Sequence, residues 1–377
     1  MPLAIVRVDN ADLHRSLHEM ISRTEAQIRG DVFIKPNLCA RAPRCGENTP
    51  ADFMAILLDV LHDYRCSVAI GHTSLLGGPT QAYSFDTVLA VSGFSRFVQR
   101  RGVDLVNLDS EEQVRIPVGA LAFEIPRVVL ESPFYLNVAK LKTHMQTTVS
   151  LALKNQMGVI ALRNRVEMHR LGLEEHIARL ATVLRPHLSI IERIVAMEGK
   201  GPHHGGVRRA NLLLASQDIV ELDSAAASVM NIDPCSVAHI RQAADFGVGT
   251  LADQRTLADL RHSVPAFALP APYITRGLTL RVWPTSGCPR CYLALQSAAN
   301  DMKRTTQGRM RLLSATFLRR TDIIYGTCKG MDRSMLSKHV LGFGRCAKEF
   351  CERHDIPHCD GCPLCTLDAV AFLTSGM

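Results

Sequence analysis

Two sets of residues in this chain have types and spacings suited to chemistry. The first is cysteine. Of twelve cysteines in 377 residues, four (Cys39, Cys45, Cys66, Cys235) fall in the first 277 and eight (Cys288, Cys291, Cys328, Cys346, Cys351, Cys359, Cys362, Cys365) in the last hundred. Cys288-Pro-Arg-Cys291 is a C-x2-C turn and Cys359-Asp-Gly-Cys362-Pro-Leu-Cys365 a C-x2-C-x2-C run. Thiolates a short turn apart can bind one metal ion or cluster without distorting the backbone, and the prolines after Cys288 and Cys362 stiffen the turns. Two C-x2-C units suit a zinc ribbon. Iron–sulfur clusters also take four thiolates, although the fourth cysteine and trailing proline of a ferredoxin run are missing. Eight cysteines are enough for two such sites.

The second set follows short apolar runs. Val32–Ile34 leads into Lys35-Pro36-Asn37, and Ser67–Gly71 into His72-Thr73-Ser74 and Gly77-Gly78. Phe134–Val138 leads into Lys140, Lys142 and His144, and the run ending at Met197 into Glu198-Gly-Lys-Gly201-Pro-His-His-Gly205. In open α/β sheets, ligands bind beyond the carboxyl ends of the strands. Glycine turns there expose backbone amides and the lysines add charge, so the expected ligand is a carboxylate or phosphate ester. Lys35 and Lys142 would hold it, with Asn37, Gly201 and Gly205 among the contacting groups. His144 or Glu198 would move protons, since either titrates near neutral pH once its environment shifts it. The glycine runs match neither a P-loop nor a dinucleotide fingerprint, and there is no Gly-x-Ser-x-Gly elbow. Asp223, in Glu221-Leu-Asp-Ser, reads either as an exposed helix residue or as a buried carboxylate facing the pocket.

The elements that must position these residues alternate. Strands are expected at Ile5–Val8, Asp31–Ile34, Ser67–Gly71, Val103–Leu108, Phe134–Val138, Leu188–Val195 and Leu212–Ala215. A helix capped by Asn10 carries Leu13, Leu17, Met20 and Ile21 on one face. A second, with Thr49 as N-cap and Pro50 at its first position, carries Phe53, Ile56, Leu57, Val60 and Leu61. Further helices are expected near 80–91, 173–184 and 219–230. Arg115–Leu130 looks like a hairpin. The fold class is therefore α/β, with a mostly parallel or mixed sheet and flanking helices, plus a smaller cysteine-rich, metal-binding C-terminal domain. Pro265, Pro270 and Pro272 mark the boundary, giving domains over 1–265 and 278–377.

Composition narrows the setting. A 47% hydrophobic and 21% charged chain is that of an ordinary globular protein. No apolar run reaches the roughly 18 residues of a membrane span, and the N-terminus does not read as a signal peptide. The expectation is a soluble cytoplasmic protein without membrane attachment, where clustered cysteines bind metal rather than pair. The net charge of +7 suits an anionic ligand.

Several segments together resemble an uncharacterised family, the domain of unknown function numbered 362, some of whose members are labelled iron–sulfur-centre proteins. They are Val32-Phe-Ile-Lys-Pro-Asn37, Tyr135-Leu-Asn-Val-Ala-Lys-Leu-Lys-Thr-His144, Leu151-Ala-Leu-Lys-Asn-Gln-Met-Gly158, Ala196-Met-Glu-Gly-Lys-Gly-Pro-His-His-Gly205 and Glu221-Leu-Asp-Ser-Ala-Ala-Ala227. The resemblance implies one α/β site containing Lys35, Lys142, His144, Lys154, Asn155 and Glu198. The tail resembles that of longer members, which implies Cys288, Cys291, Cys346 and Cys362 as ligands of a 4Fe–4S cluster. Cys328, Cys351, Cys359 and Cys365 are left for a second site, and zinc stands as the alternative metal.

Three functions compete. The leading one is an iron–sulfur redox enzyme passing electrons from a 4Fe–4S cluster to a small anionic substrate held by Lys35, Lys142 and Lys154. An acidic carrier such as ferredoxin or flavodoxin would dock on the acid-free basic stretch of residues 302–321. The second is a zinc-containing nucleic-acid-binding protein using that same stretch, which Phe317, its one aromatic, argues against. The third is a redox-neutral, isomerase-like enzyme with a structural metal.

Overall fold

A computed structural model describes residues 2–8, 12–39, 46–75, 84–95, 103–144, 146–199, 201–202, 205–261, 263–269, 274–276, 278–285, 289–303, 305–361 and 366–376. The chain separates into two compact units. One comprises residues 1–165 and 174–270, the other residues 166–173 and 271–377.

The first unit is built on a nine-stranded mixed sheet. Its strands are β1 (Ala4–Arg7), β2 (Asp31–Lys35), β3 (Ser67–His72), β4 (Asp104–Asn107), β7 (Phe134–His144), β8 (Thr148–Ser150), β9 (Leu188–Glu198), β10 (Gly206–Arg209) and β11 (Leu212–Ser216), while β5 (Gln113–Val118) and β6 (Leu121–Pro126) form the separate hairpin. The order is β1-β11-β9-β7-β2-β3-β4, with β10 on β9 and β8 on β7. The strands from β9 to β4 are parallel, and β11 and β1 close the edge antiparallel. From β2 the chain winds outward to β3 and β4, then returns to place β7 on the other side of β2. The point of reversal lies between β2 and β7, where open α/β sheets place their ligands.

Apolar alternation accounts for most of this unit. In α1 (Leu13–Arg23), Leu17, Met20 and Ile21 are buried, as are Phe53, Leu57, Val60 and Leu61 of α2 (Ala51–Asp63). They form one core with Ile34, Leu136, Val138, Leu188 and Ile190 of the sheet. The caps differ from expectation. Asp12 caps α1 by accepting the Arg15 N–H at 2.9 Å, and Asn10 lies outside the described residues. Pro50 precedes α2 without a side-chain cap, because the Thr49 hydroxyl accepts the Asn37 N–H at 2.9 Å and so holds the loop after β2. α3 covers Phe85–Val91 behind a Ser84 cap.

Among its described residues, the second unit shows no distinct cysteine-rich metal domain. It is a further α/β layer, with strands β12 (Ile274–Arg276), β13 (Leu280–Thr285), β14 (Thr321–Gly326), β15 (His339–Phe343) and β16 (His358–Cys359) in that spatial order, parallel from β13 onward. Trp283, Ile324, Val340 and Phe350 make its own apolar core, and Cys328 and Cys351 pack inside it. Buried Asp322 accepts from Arg281 Nε (2.7 Å) and Nη2 (2.6 Å), Trp283 Nε1 (2.7 Å) and the Ser337 N–H (2.6 Å). A hydrophobic core and a satisfied buried charge hold this unit, so metal is not needed to explain its fold.

Candidate functional site at the β2–β7 reversal

Lys35 ends β2 and is 1% exposed, as is Lys142 on β7. Sequence reading placed Lys142 and His144 in a loop after β7. They lie instead in the strand itself, because β8 pairs antiparallel with residues 142–144 and keeps the chain extended. Lys142 therefore reaches back over the end of β2, its Nζ 2.9 Å from the Glu47 carbonyl oxygen and 3.2 Å from Cys39 Sγ. The Lys35 amine donates to the Pro36 carbonyl at 2.5 Å. A Cβ added at Gly158 would stand 2.8 Å from Lys35 Nζ and 3.5 Å from His72 Nε2, so a glycine is needed where these two groups meet the backbone.

Lys154 and Asn155 sit on α4 (Ala152–Asn155), a single turn fixed from below by α7 (Ile219–Val229). Fully buried Asp223 of α7 accepts the N–H groups of Ala152 (2.8 Å) and Leu153 (2.9 Å). That arrangement satisfies the exposed amides at the start of α4, and burial pushes the Asp223 carboxyl up to about 7 against those two bonds. Asn155 Nδ2 donates to Asn137 Oδ1 (2.8 Å), with the carbonyls of Val138 (3.2 Å) and Lys35 (3.3 Å) also in reach. It ties β2, β7 and α4 together. Arg165 of α5 (Leu162–Leu171), the helix before α6 (Leu173–Val183), is buried, with Nη1 2.8 Å from the Ser74 carbonyl and Nη2 3.9 Å from Asp109.

The electrostatics follow from this crowding. Burial, then Arg165 and Lys142, hold the Lys35 ammonium well below the usual lysine value, with Cys39 opposing. Burial, then Lys35, lowers His72 well below the usual histidine value and keeps it neutral, although Nδ1 lies 2.5 Å from the Thr73 carbonyl. Burial, then Lys142, brings Lys154 down to about 8. Burial lowers Arg165 to about 10 despite Asp109. Among the described residues, no carboxylate lies within ion-pair distance of Lys35, Lys142 or Lys154. Lys140 differs, being paired with Glu192 in the buried sheet. Three lysines crowded together with no described carboxylate beside them form the arrangement that binding an anion would relieve.

The remaining sequence candidates take other positions. Asn37 uses its backbone to exchange hydrogen bonds with Thr49. His144 Nδ1 accepts the N–H groups of Gln146 (3.1 Å) and Thr147 (3.3 Å). The Glu198 carboxylate is held by Arg208 at 2.5 Å and by the Ala268 N–H at 3.0 Å. Gly201 and Gly205 lie where backbone passes close to backbone, an added Cβ falling 2.0 Å from the Thr143 oxygen and 2.4 Å from the Glu198 oxygen. His203 and His204 lie outside the described residues. Cys39 and Arg165 join the site without having been chosen from sequence, as does His72, which the sequence placed at a strand end but gave no role. His72 carried a signal in its position at the end of β3, whereas nothing local announces Arg165.

Of the eight tail cysteines, Cys288, Cys362 and Cys365 lie outside the described residues. Cys291, Cys328, Cys351 and Cys359 are buried and Cys346 is half-buried. Burial raises the Cys328 thiol and pushes Cys351 up to about 12. Cys291 Sγ packs against Gly344, two residues before Cys346. Among the described residues, the group with ligand atoms gathered for metal is His14, His18 and Asp63, on the helices of the first unit, and not the cysteines. No helix among them is long and apolar enough to cross a membrane.

These features define an α/β protein with a cationic, carboxylate-poor site at the reversal point of its sheet. Residues 32–228, which contain every residue of that site, match the family described as "Domain of unknown function (DUF362)", and the chain belongs to it. It is 29% identical over 140 residues to the thylakoid-associated protein sll1697 of Synechocystis, a match covering 35% of this chain and 43% of that protein. The chain thus spans under half of that curated relative. Among solved structures, it is similar to the lactate racemase apoprotein of Thermoanaerobacterium thermosaccharolyticum, with a TM-score of 0.43 and 12% identity over 86% of this chain and 68% of that one.

Proposed function

We propose that the cluster at the β2–β7 reversal binds a small carboxylate- or phosphate-bearing substrate and catalyses a redox-neutral proton transfer on it, as an isomerase does. The observation that carries this is Lys35: a buried amine crowded by Arg165 and Lys142, unpaired by any described carboxylate, and driven toward its neutral form. A neutral amine is a base at physiological pH. Lys142, Lys154 and Arg165 supply the charge that holds the substrate anion. Once the anion is in place, neutral Lys35 takes a proton from the carbon next to the substrate's carbonyl or carboxylate and becomes an ammonium. That same proton is handed back to the carbon directly or relayed through His72, whose ring gives up its own N–H proton as it receives the one from Lys35. Glu198 is left out of proton transfer because Arg208 already holds it.

The test is exchange. Small hydroxy, amino and keto acids and their phosphate esters, incubated with the protein in D2O and followed by proton NMR, should lose the signal at the carbon next to the carboxylate without any added electron donor. Lys35→Met should abolish the exchange while Lys140, paired elsewhere, stays intact. Exchange that proceeds equally in Lys35→Met, or turnover that requires a reductant, would rule the reading out.

A second reading, reduction of the same anion by an iron–sulfur cluster fed by ferredoxin or flavodoxin, draws on one feature. Strands β13 to β16 run parallel, so Cys291, Cys328 and Cys346 follow the carboxyl ends of successive strands on one edge of the second sheet. The described cysteines do not assemble three ligands there, and no step is routed through a cluster. Iron, zinc and acid-labile sulfide measured after anaerobic purification decide between the two: stoichiometric sulfide would favour the redox reading.

A further inference from the structure

Away from that cluster, His14 and His18 stand one turn apart on α1, and Asp63 is the last residue of α2. Both imidazoles direct Nε2 at one oxygen, Asp63 Oδ2, at 3.1 and 2.9 Å. The rings lie edge to face with centroids 4.8 Å apart, and the ligand-type atoms of all three residues lie within 4.8 Å of one another. The side chains are 46%, 34% and 49% exposed, so an ion in solution can reach them. One histidine would suffice as a partner for this carboxylate. The second brings another ring nitrogen to the same point.

We propose that His14, His18 and Asp63 bind a divalent ion of the zinc–nickel class, with water completing its coordination. Two imidazoles and one carboxylate are the donors such ions prefer, whereas calcium and magnesium take all-oxygen sets. The spacing fits. With bonds of about 2.0 Å, ligands on a tetrahedral ion lie about 3.3 Å apart, so the observed 2.9 and 3.1 Å need to open by a few tenths of an ångström, and the two ring nitrogens, within 4.8 Å of each other, must settle at the same separation. Exposed rotamers on the helix surface can supply that. The bound ion would displace the protons now shared with Asp63 and join α1 to α2, beside Tyr64, whose ring lies 5.4 Å from that of His18. The site involves none of the residues at the β2–β7 reversal.

The test is zinc titration of the full chain by calorimetry, together with thermal melting. The tail cysteines can also take zinc, so the readout is the difference between proteins. His14→Gln and His18→Gln, both exposed, should each remove one equivalent of bound zinc or weaken it by tenfold or more. Zinc at about a hundredfold excess over its dissociation constant should raise the melting temperature of the parent by about 5 °C more than that of either variant. Asp63→Asn, which keeps the side-chain shape, provides a third protein should a histidine variant fold poorly. Cobalt should give visible bands that persist after thiol alkylation and vanish in His18→Gln. Equal zinc stoichiometry and equal stabilisation in the parent and all three variants would overturn the proposal.

Discussion

Replacing Lys154 by methionine tests the idea that this site accumulates positive charge at a cost to stability. The fall from 10.5 to about 8 means that the charged amine is disfavoured in the fold by about 3 kcal/mol. Since Lys154 keeps some contact with solvent, about 2 kcal/mol is a fair expectation. The sign follows from proton counting. Between about pH 8 and pH 10.5 the unfolded chain holds a proton on Lys154 that the folded chain has lost, so stability contributed here rises with pH across that window. Below about pH 8 the full penalty applies, and above pH 10.5 it is gone. Methionine removes the titration while keeping all but the last atom's length of the side chain. Urea unfolding of the full chain should therefore find Lys154→Met more stable than the parent by about 2 kcal/mol near pH 7, with the gap closing toward zero near pH 10.5. A variant less stable than the parent at pH 7, or a gap independent of pH, would refute the reasoning. The variant should also bind anions more weakly, the trade expected of a functional site.

Three further outcomes follow. Asp223→Ala leaves the N–H groups of Ala152 and Leu153 without their buried acceptor; it should cost about 2 to 4 kcal/mol in urea unfolding and weaken anion binding by releasing α4. Asp322→Ala strips Arg281 and Trp283 of their shared acceptor in the second unit, and about 3 to 5 kcal/mol should be lost, read as early exposure of Trp283, the single tryptophan, by fluorescence. Burial alone would raise Asp322, but Arg281, Trp283 and Ser337 outweigh it and hold the carboxyl below its usual value, so this stabilisation should be present above pH 4 and fade as acid protonates the group. Cys291→Ser and Cys346→Ser should leave proton exchange at Lys35 unchanged, measured by NMR in D2O; loss of exchange in both would tie the chemistry to the cysteines.

Much of the frame was legible because local patterns decide it. The apolar runs of β2, β3, β7 and β9 and the helical spacing of Leu57, Val60 and Leu61 point to their elements without help from distant residues. Lys35 and Lys142 could be singled out because they follow or extend strands, and the rule that ligands gather at strand ends depends only on direction; Lys154, on α4, came only from the family resemblance. What was missed depends on long-range packing. Arg165 reaches Ser74 across 91 positions of sequence, and the two states open to Asp223 were resolved only by the docking of α4 onto α7. Thr49 looked like a helix cap and instead holds the loop after β2. Cysteine spacing reads the same whether the thiols face a metal or a core: Cys328 and Cys351 lie in the core of a second parallel sheet, while Cys288, Cys362 and Cys365 lie outside the described residues.

The central claim is that the cations at the β2–β7 reversal are waiting for an anion. Calorimetric titration with sulfate and with malonate near pH 8, repeated in buffers of different ionisation enthalpy, measures it directly through the protons exchanged on binding. Both probes are fully ionised there, so any proton change belongs to the protein. An anion beside Lys154 must raise its affinity for protons, and net uptake on the order of half a proton per anion is predicted, lost in Lys154→Met. Binding with no uptake, or with release of protons, would contradict the account.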